Sequence, residues 1–199
     1  MPRVVFRSTF NRVLSIVAWA VIVVLLVGAL VVPGLLGAAP GLILGAASVA
    51  VLVWVLLWSP SLAVDDEGVT VVNVLAEHVV PWAALIHVDT RFALTLVTPQ
   101  RRISSTAAPA PGAVGTLRAA RAQRRSESAS LGPRPGDLPG TDSGTAAQIV
   151  RERWEALRET GRIEAGVADT TAVRTRPRAL AIALIVVSVT GLVTAVLLH

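Results

Sequence analysis

The stretch VVPWAALIHVDTRFALTLVTP, residues 79–99, determines the fold class of this chain, because apolar and polar residues alternate along much of it. An alternation of this kind is typical of a β-strand that buries one face. The stretch therefore predicts two strands inside a chain that otherwise consists largely of long apolar segments. Their core-facing positions are expected to be Ile86 and Val88 in the first strand and Phe92, Leu94 and Leu96 in the second.

A Pro-Trp pair stands near the start of this stretch. Proline cannot donate a hydrogen bond to a sheet ladder, so we expect Pro81 at a sheet edge or a bulge. Trp82 is the only tryptophan of the β-rich segment, and we expect it to anchor the core. A tryptophan that stacks on a ligand is the alternative hypothesis for Trp82.

The β-rich segment extends from residue 59 to residue 106. SLAVDDEGVTVVNVL, residues 61–75, predicts a hairpin whose turn is the acidic run Asp-Asp-Glu-Gly at 65–68. A metal site at this run is the alternative, but three acids followed by glycine are more typical of a turn. TPQRR, residues 98–102, predicts a further turn that leads into a short strand near residues 103–106.

An amphipathic helix is predicted at residues 142–160, with Asp142 or Ser143 as its N-terminal cap and Gly161 as its end. One apolar stripe recurs at helical spacing, and it must pack against another element, for which the β module is the nearest candidate. The stripe consists of Ala147, Val150, Trp154 and Leu157.

A β module closed by one C-terminal amphipathic helix is the plan of pleckstrin homology (PH) domains. The segments LAVDDEGVTVVN, VPWAALIHVDTR and FALTLVTPQRR resemble the bacterial PH-like domains of actinobacterial membrane proteins. The resemblance covers about residues 60–108 together with the helix at 142–160. It implies a binding or assembly module with no common catalytic activity, although the predicted strands are fewer than those of a complete PH barrel.

Three segments are long and apolar enough to span a membrane: residues 13–32, 42–58 and 179–198. The prolines and glycines of residues 33–41 predict a tight external hairpin between the first two. A cleaved signal peptide is the alternative for the first segment, but its apolar run is longer than that of most signal peptides and a second span follows directly. The expected fold class is thus a membrane protein with three transmembrane helices and a small β-rich PH-like domain.

Arginine distribution predicts how these segments are oriented. Arginines at positions 3, 7 and 12 precede the first span, and arginines at 174, 176 and 178 precede the third. By the positive-inside rule, residues 1–12 and the part between the second and third spans are cytoplasmic, and the C-terminus is external. The expected location is the plasma membrane.

Small residues predict that the spans pack against each other. Gly41 and Gly45 form a GxxxG pattern, and Gly191 with Ala195 forms a small-xxx-small pair in the third span. Such residues allow close approach of helix backbones in a bilayer.

Residues 107–141 are rich in Ala, Pro, Gly, Ser and Arg and are expected to be a flexible insert, while residues 161–178 are expected to be a linker. The insert's arginines are interpreted as solvated residues, as contacts for anionic lipid, or as a nucleic-acid site, which the lack of interleaved aromatic residues disfavours. With the arginines of the 98–102 turn, they form the weak candidate ligand contacts, namely Arg101, Arg102, Arg118, Arg121, Arg124 and Arg125.

No catalytic motif, cofactor fingerprint or metal-ligand pattern occurs in the sequence, and there is no cysteine. All 18 basic residues are arginine, which suggests a GC-rich, actinobacterial coding sequence. The sequence thus predicts a non-catalytic scaffold that binds an unknown protein partner or its own copies at the inner leaflet. The alternative is a PH-like domain that senses anionic lipid headgroups.

Overall fold

The computed structural model describes residues 3–31, 39–109, 141–163 and 167–198. The chain divides into two compact units. We call residues 1–8 and 61–176 the β unit, and residues 9–60 and 177–199 the helical unit.

In the part of the chain that the structure describes, the β unit forms two sheets. The first has five strands in the order β1-β2-β3-β4-β8 and the second has three in the order β5-β6-β7. The strands are β1 Val4–Phe6, β2 Ser61–Val64, β3 Gly68–Val72, β4 Ala76–Pro81, β5 His87–Asp89, β6 Ala93–Val97, β7 Arg102–Pro109 and β8 Arg174–Pro177.

The acidic run at 65–68 forms the β2–β3 turn, as predicted. One carboxylate oxygen of Asp65 accepts hydrogen bonds from the backbone N–H groups of Glu67 and Gly68, each at 3.0 Å. Gly68 pairs with Pro81 across the strands, and a Cβ on Gly68 would lie 2.2 Å from the backbone oxygen of Val80. Only glycine permits this close approach of two backbones.

The amphipathic helix, α3, extends over Asp142–Glu159. Its N-terminal cap is Thr141, whose hydroxyl accepts a 3.0 Å hydrogen bond from the backbone N–H of Gly144. The prediction of Asp142 or Ser143 as the cap was wrong by one position, since any of these adjacent side chains can accept such a bond. Gly161 lies just beyond the end of the helix in the left-handed conformation, with a φ of 67°. The Arg162 backbone N–H donates to the Leu157 carbonyl oxygen at 3.0 Å.

The core of the β unit lies between the two sheets and α3. Leu62, Leu94 and Leu96 are fully buried, and Trp82 is 3% exposed. The helix contributes Ala146, Ala147, Val150 and Leu157 to the same cluster, and Trp154 packs partly buried against it. The expected fold class, a β module closed by one amphipathic helix, is therefore confirmed.

Three segments of the β unit differ from their predictions. The expected N-terminal tail contains β1 and the expected 161–178 linker contains β8, so the described strands number eight. The last strand before α3 continues to Pro109, into the expected insert. Residues 110–140 of that insert, like most of the expected 33–41 hairpin, lie outside the described residues, and its last residue, Thr141, caps α3.

Among the described residues of the helical unit, three apolar helices are long enough to cross a membrane. The second continues into a π-helical turn, Trp54–Trp58. The helices are α1 Thr9–Val31, α2 Ala39–Val53 and α4 Ala179–Leu197.

Small residues form the contact between α2 and α4, as the GxxxG pattern predicted. A Cβ on Gly41 would lie 3.1 Å from the Ala195 carbonyl oxygen, and one on Gly45 would lie 3.5 Å from the Ala195 Cβ. A Cβ on Gly191 would lie 2.4 Å from the Ser48 hydroxyl oxygen. Gly41 and Gly45 therefore face Ala195, and Gly191 faces Ser48, within the helical unit.

Aromatic and polar side chains join α1 to the end of the second helix. Trp19 donates its indole N–H to the Ala50 carbonyl oxygen at 3.2 Å, and its ring lies 5.3 Å from that of Trp58. The Arg12 guanidinium lies over the Trp58 ring at 5.4 Å. Because α1 begins at Thr9, Arg12 belongs to this helix and not, as the sequence had suggested, to a cytoplasmic tail.

Candidate binding site at the basic sheet edge

The outermost strand β8 is the most exposed strand of the β unit. All four of its residues are exposed, and the strand lies beside β4 at the edge of the five-stranded sheet. Arg174 and Arg176 alternate with Thr175, so successive side chains point to opposite faces. The strand ends at Pro177, which has no N–H to offer a further strand.

Gln100 of the β6–β7 turn forms hydrogen bonds with the segment that leads into β8. The side-chain amide of Gln100 donates to the Thr171 carbonyl oxygen at 3.2 Å, and its oxygen accepts from the Val173 N–H at 3.5 Å. Val173 is 9% exposed and reaches the core cluster. Within the turn, Thr98 and Arg101 exchange hydrogen bonds that fix its shape.

Thr175 connects this turn to β4. Its hydroxyl oxygen accepts a 2.9 Å hydrogen bond from the Arg101 guanidinium and lies 3.0 Å from Nδ1 of His78. His78 pairs with Val71 on β3, in a row that faces the core. Burial lowers the pKa of His78, and the nearby positive charge of Arg101 lowers it further. The neutral imidazole is thus favoured at this position.

We call Arg101, Arg102, Arg174 and Arg176 the basic edge. All four are exposed, and they come from two segments that are distant in sequence but adjacent in the fold. An exposed edge strand can pair its free backbone groups with an extended segment of another chain. Arginines beside it favour carboxylate or phosphate groups. The arrangement is therefore suited to an anionic ligand rather than to covalent chemistry.

Of the predicted ligand contacts, the fold places Arg101 and Arg102 at this edge. Arg102 is the first residue of β7, where it pairs with Val97. The remaining candidates, Arg118, Arg121, Arg124 and Arg125, lie outside the described residues.

Several of the predicted structural anchors lie in or beside the core of the β unit. Pro81 is the last residue of β4, and Trp82 opens a short 3₁₀ turn, with its indole N–H donating to the Asp65 carbonyl oxygen at 3.0 Å. Because Trp82 is almost fully buried, its ring faces are occupied by the core and not by a ligand-accessible surface. Val88, at 8% exposure, also lies in the core.

Ile86 and Phe92 do not face the core, contrary to the alternation of the sequence. Ile86 is 47% exposed, because the 3₁₀ turn ends just before it and Leu85, at 4%, takes the core position. Phe92 is 79% exposed, because it lies in the turn before β6, with the Arg91 guanidinium over its ring at 5.2 Å.

Sequence reasoning did not find β8 or its contacts with Gln100, Thr175 and His78. The alternation of Arg174 and Arg176 around a threonine is compatible with a strand, but it contains no apolar position. In the sequence these arginines indicate membrane orientation rather than a strand. An exposed edge strand buries too little to leave an apolar period in the sequence.

The Asp65 and Asp66 carboxylates of the acidic turn make contacts within the β unit. Within the described ranges there is no group of three His, Asp or Glu side chains suited to a metal ion. Asp66 instead forms an ion pair with Arg153 of α3.

Comparison with known proteins finds a family on the segment that contains Arg101 and Arg102 of the basic edge, but not Arg174 and Arg176. A family model described as a bacterial PH domain matches residues 59–159, just over half of the chain. The match contains six of the described strands and α3, whereas β1 and β8 lie outside it. Searches of curated proteins and of solved structures found no significant match.

Proposed function

The chain belongs to the bacterial PH domain family, and we propose that it is a membrane-anchored scaffold whose β unit binds a protein partner or a second copy. PH domains are in general non-catalytic binding modules, so the family supports a binding role. In this proposal the chain is a multi-pass protein of the plasma membrane, with its N-terminus and β unit in the cytoplasm and its C-terminus outside. No cofactor is needed for this role.

The observation that carries the proposal is the exposed basic edge. A polypeptide with carboxylate side chains could add to β8 through backbone hydrogen bonds while its carboxylates pair with Arg174 and Arg176. Membrane anchoring already sets the location of the chain. A protein ligand would therefore give the β unit a role that the apolar helices do not provide.

Topology can be tested with single cysteines, because the chain has none of its own. Phe92→Cys places a thiol at a 79% exposed position of the β unit. We expect an impermeant maleimide to label it only after cells are permeabilised, and to label a cysteine added after His199 in intact cells. Labelling of Phe92→Cys in intact cells would reject the cytoplasmic assignment.

Binding at the basic edge can be tested by photo-crosslinking in cells, with a photoreactive residue in place of Arg174. The full chain is required, because a fragment limited to residues 59–159 would lack β1 and β8. We expect a discrete adduct with a protein, identified by mass spectrometry as a partner or a second copy. The adduct should disappear in the Arg101→Glu variant and persist in the Arg162→Glu variant, whose charge lies after α3. Absence of any protein adduct would contradict the proposal.

Anionic-lipid sensing is the second candidate function. The exposed guanidinium groups of Arg101 and Arg102 favour it, together with the predicted contribution of arginines 118–125. Attraction of about 1 kcal/mol for each basic residue near an anionic surface is expected, and salt weakens it. Crosslinks to lipid alone, lost at high salt and in Arg101→Glu, would favour this function over the scaffold.

A further inference from the structure

Two of the chain's connections to the apolar helices leave the first sheet at the same end. Phe6 of β1 pairs with Leu62 of β2, and Ser61 pairs with Val72 of β3. Helix α1 begins at Thr9, three positions after Phe6, and the π-helical turn ends at Trp58, three positions before Ser61. Three extended residues span at most about 11 Å. Both connections are therefore short and start from neighbouring strand ends.

The β3–β4 turn, residues 73–75, lies at this same end of the sheet. The paired residues Val72 and Glu77 flank it. At its tip, Leu75 is 56% exposed.

Leu75 is exposed in a turn whose conformation is held by several hydrogen bonds of Asn73. Asn73 donates its side-chain amide to the Ser104 carbonyl oxygen at 2.8 Å and accepts bonds from the Thr106 N–H at 2.8 Å and its hydroxyl at 3.0 Å. The Asn73 backbone N–H also bonds the Ala76 carbonyl oxygen at 2.9 Å. Fixed on both sides, the turn presents an apolar side chain to solvent instead of folding it inward.

Charge differs between the two ends of the sheet. Arg7, exposed, follows β1 at the end that carries Leu75. The opposite end carries the β2–β3 turn with Asp65, Asp66 and Glu67, although Arg153 pairs with Asp66 there. This end also carries Glu77, the partner of Val72, but it has no run of acids like that of the opposite turn. An exposed apolar side chain and an arginine at the same end of the sheet suit the headgroup region of an anionic bilayer, and a turn of three acids does not.

We infer that the β3–β4 turn is a contact with the bilayer surface, in which Leu75 enters the headgroup region. The inference rests on the proposed membrane insertion of the apolar helices. Its partner is the lipid bilayer itself, and its role is to fix the orientation of the β unit rather than to target the chain. A fixed orientation would hold the basic edge in one position relative to the membrane.

The test uses the full chain in nanodiscs of mixed neutral and anionic phospholipid, with an environment-sensitive fluorophore on single cysteines. Leu75→Cys is compared with Glu67→Cys, an exposed position in the opposite turn of the same sheet. Val24→Cys, at 69% exposure on α1, is the control for insertion of the helices. A label on Val74→Cys gives a second probe of the turn should the first variant fold poorly.

The expected result is a blue-shifted emission at Leu75, quenched by lipids spin-labelled near the headgroup, at a depth of about 5–10 Å. Glu67→Cys should show neither change. If Val24→Cys is quenched by lipid but both turn labels behave like Glu67→Cys, the turn contact is rejected and the membrane insertion stands. If Val24→Cys is not quenched either, the proposed function fails together with the inference.

Discussion

Most large apolar side chains of the β unit are buried, whereas most of those in the helical unit are exposed, and the buried apolar side chains described there, apart from Val55, are alanines. In the β unit Leu62, Leu94 and Leu96 are fully buried. In the helical unit Val24 and Leu25 are 69% and 66% exposed. The buried residues there include serines at 15, 48 and 188 and alanines at 181 and 195.

This inversion is what the proposed membrane insertion of the helical unit predicts, because water and lipid favour different buried side chains. Water drives large apolar side chains into a common core, at about 25 cal/mol per Å² buried. In a bilayer the lipid tails are as apolar as leucine, so helices associate through close backbone packing of small residues and through hydrogen bonds. The buried serines fit that environment, since the Ser15 and Ser48 hydroxyls donate to carbonyl oxygens of Asn11 and Leu44 at 2.8 Å.

The largest expected effect concerns the apolar core of the β unit. Trp82→Ala removes the biggest buried side chain of the β unit and should cost about 3–5 kcal/mol of unfolding free energy. Hydrogen exchange measured by mass spectrometry should show loss of protection throughout the β strands. Trp54→Ala, which truncates a 40% exposed tryptophan of the helical unit, is the matched control. Equal loss of β-strand protection in both variants would contradict the assignment of a separate apolar core to the β unit.

The next effect concerns the small-residue packing of the helices. Gly191→Val forces a branched side chain against the Ser48 hydroxyl, and overpacking of this kind typically costs about 1–3 kcal/mol. Thermal unfolding in detergent micelles, followed by circular dichroism, should show a lower midpoint. Gly28→Val serves as the comparison, because a Cβ there meets nothing within 4 Å. Similar midpoints for the two variants would mean that the α2–α4 contact contributes little.

A smaller effect is expected at the start of α3. Thr141→Ala removes the capping oxygen that accepts from the Gly144 N–H, and loss of such a cap typically costs about 1 kcal/mol. Faster hydrogen exchange should be confined to the first turn of α3 and its contacts. Thr145→Ala changes an exposed threonine of the same helix and should leave exchange rates unchanged.

The smallest effect is a pH dependence at the basic edge. Because the folded state lowers the pKa of His78 from its ordinary value of 6.5, the unfolded chain binds a proton more readily. The contribution of neutral His78 to the free energy of unfolding is therefore fully present above pH 6.5, and it is lost as the pH falls from 6.5 to the folded-state pKa. The melting midpoint of the wild type should decrease over this window more than that of His78→Gln. Parallel pH curves for the two proteins would contradict this assignment.

The sequence predicted those parts of the fold in which local chemistry and burial agree. Asp65 and Gly68 indicated the turn, and the helical spacing of Val150 and Leu157 indicated the face that packs on the sheets. The spacing of Gly41 and Gly45 likewise indicated helix packing.

What the sequence did not predict are elements that bury little. β1 has only three residues, all of them apolar, and β8 is exposed throughout, so neither strand shows the alternation of apolar and polar residues that identifies a strand. The basic edge was only half predicted for the same reason. Arg101 and Arg102 could be assigned to a turn, but their neighbours Arg174 and Arg176 come from a segment that only the sheet pairing brings close.

The contrast between the two units is tested most directly by comparing Val24 and Phe92, two highly exposed apolar side chains of the helical and the β unit. Each position would be replaced by a spin-labelled cysteine in the full chain in nanodiscs, and its collisions with oxygen and with a water-soluble nickel complex measured. We predict that the label at Val24 is relaxed mainly by oxygen, which concentrates in lipid, and the label at Phe92 mainly by the nickel complex. Preferential relaxation of both labels by the nickel complex would contradict the account, because the exposed apolar helices would then lie in water.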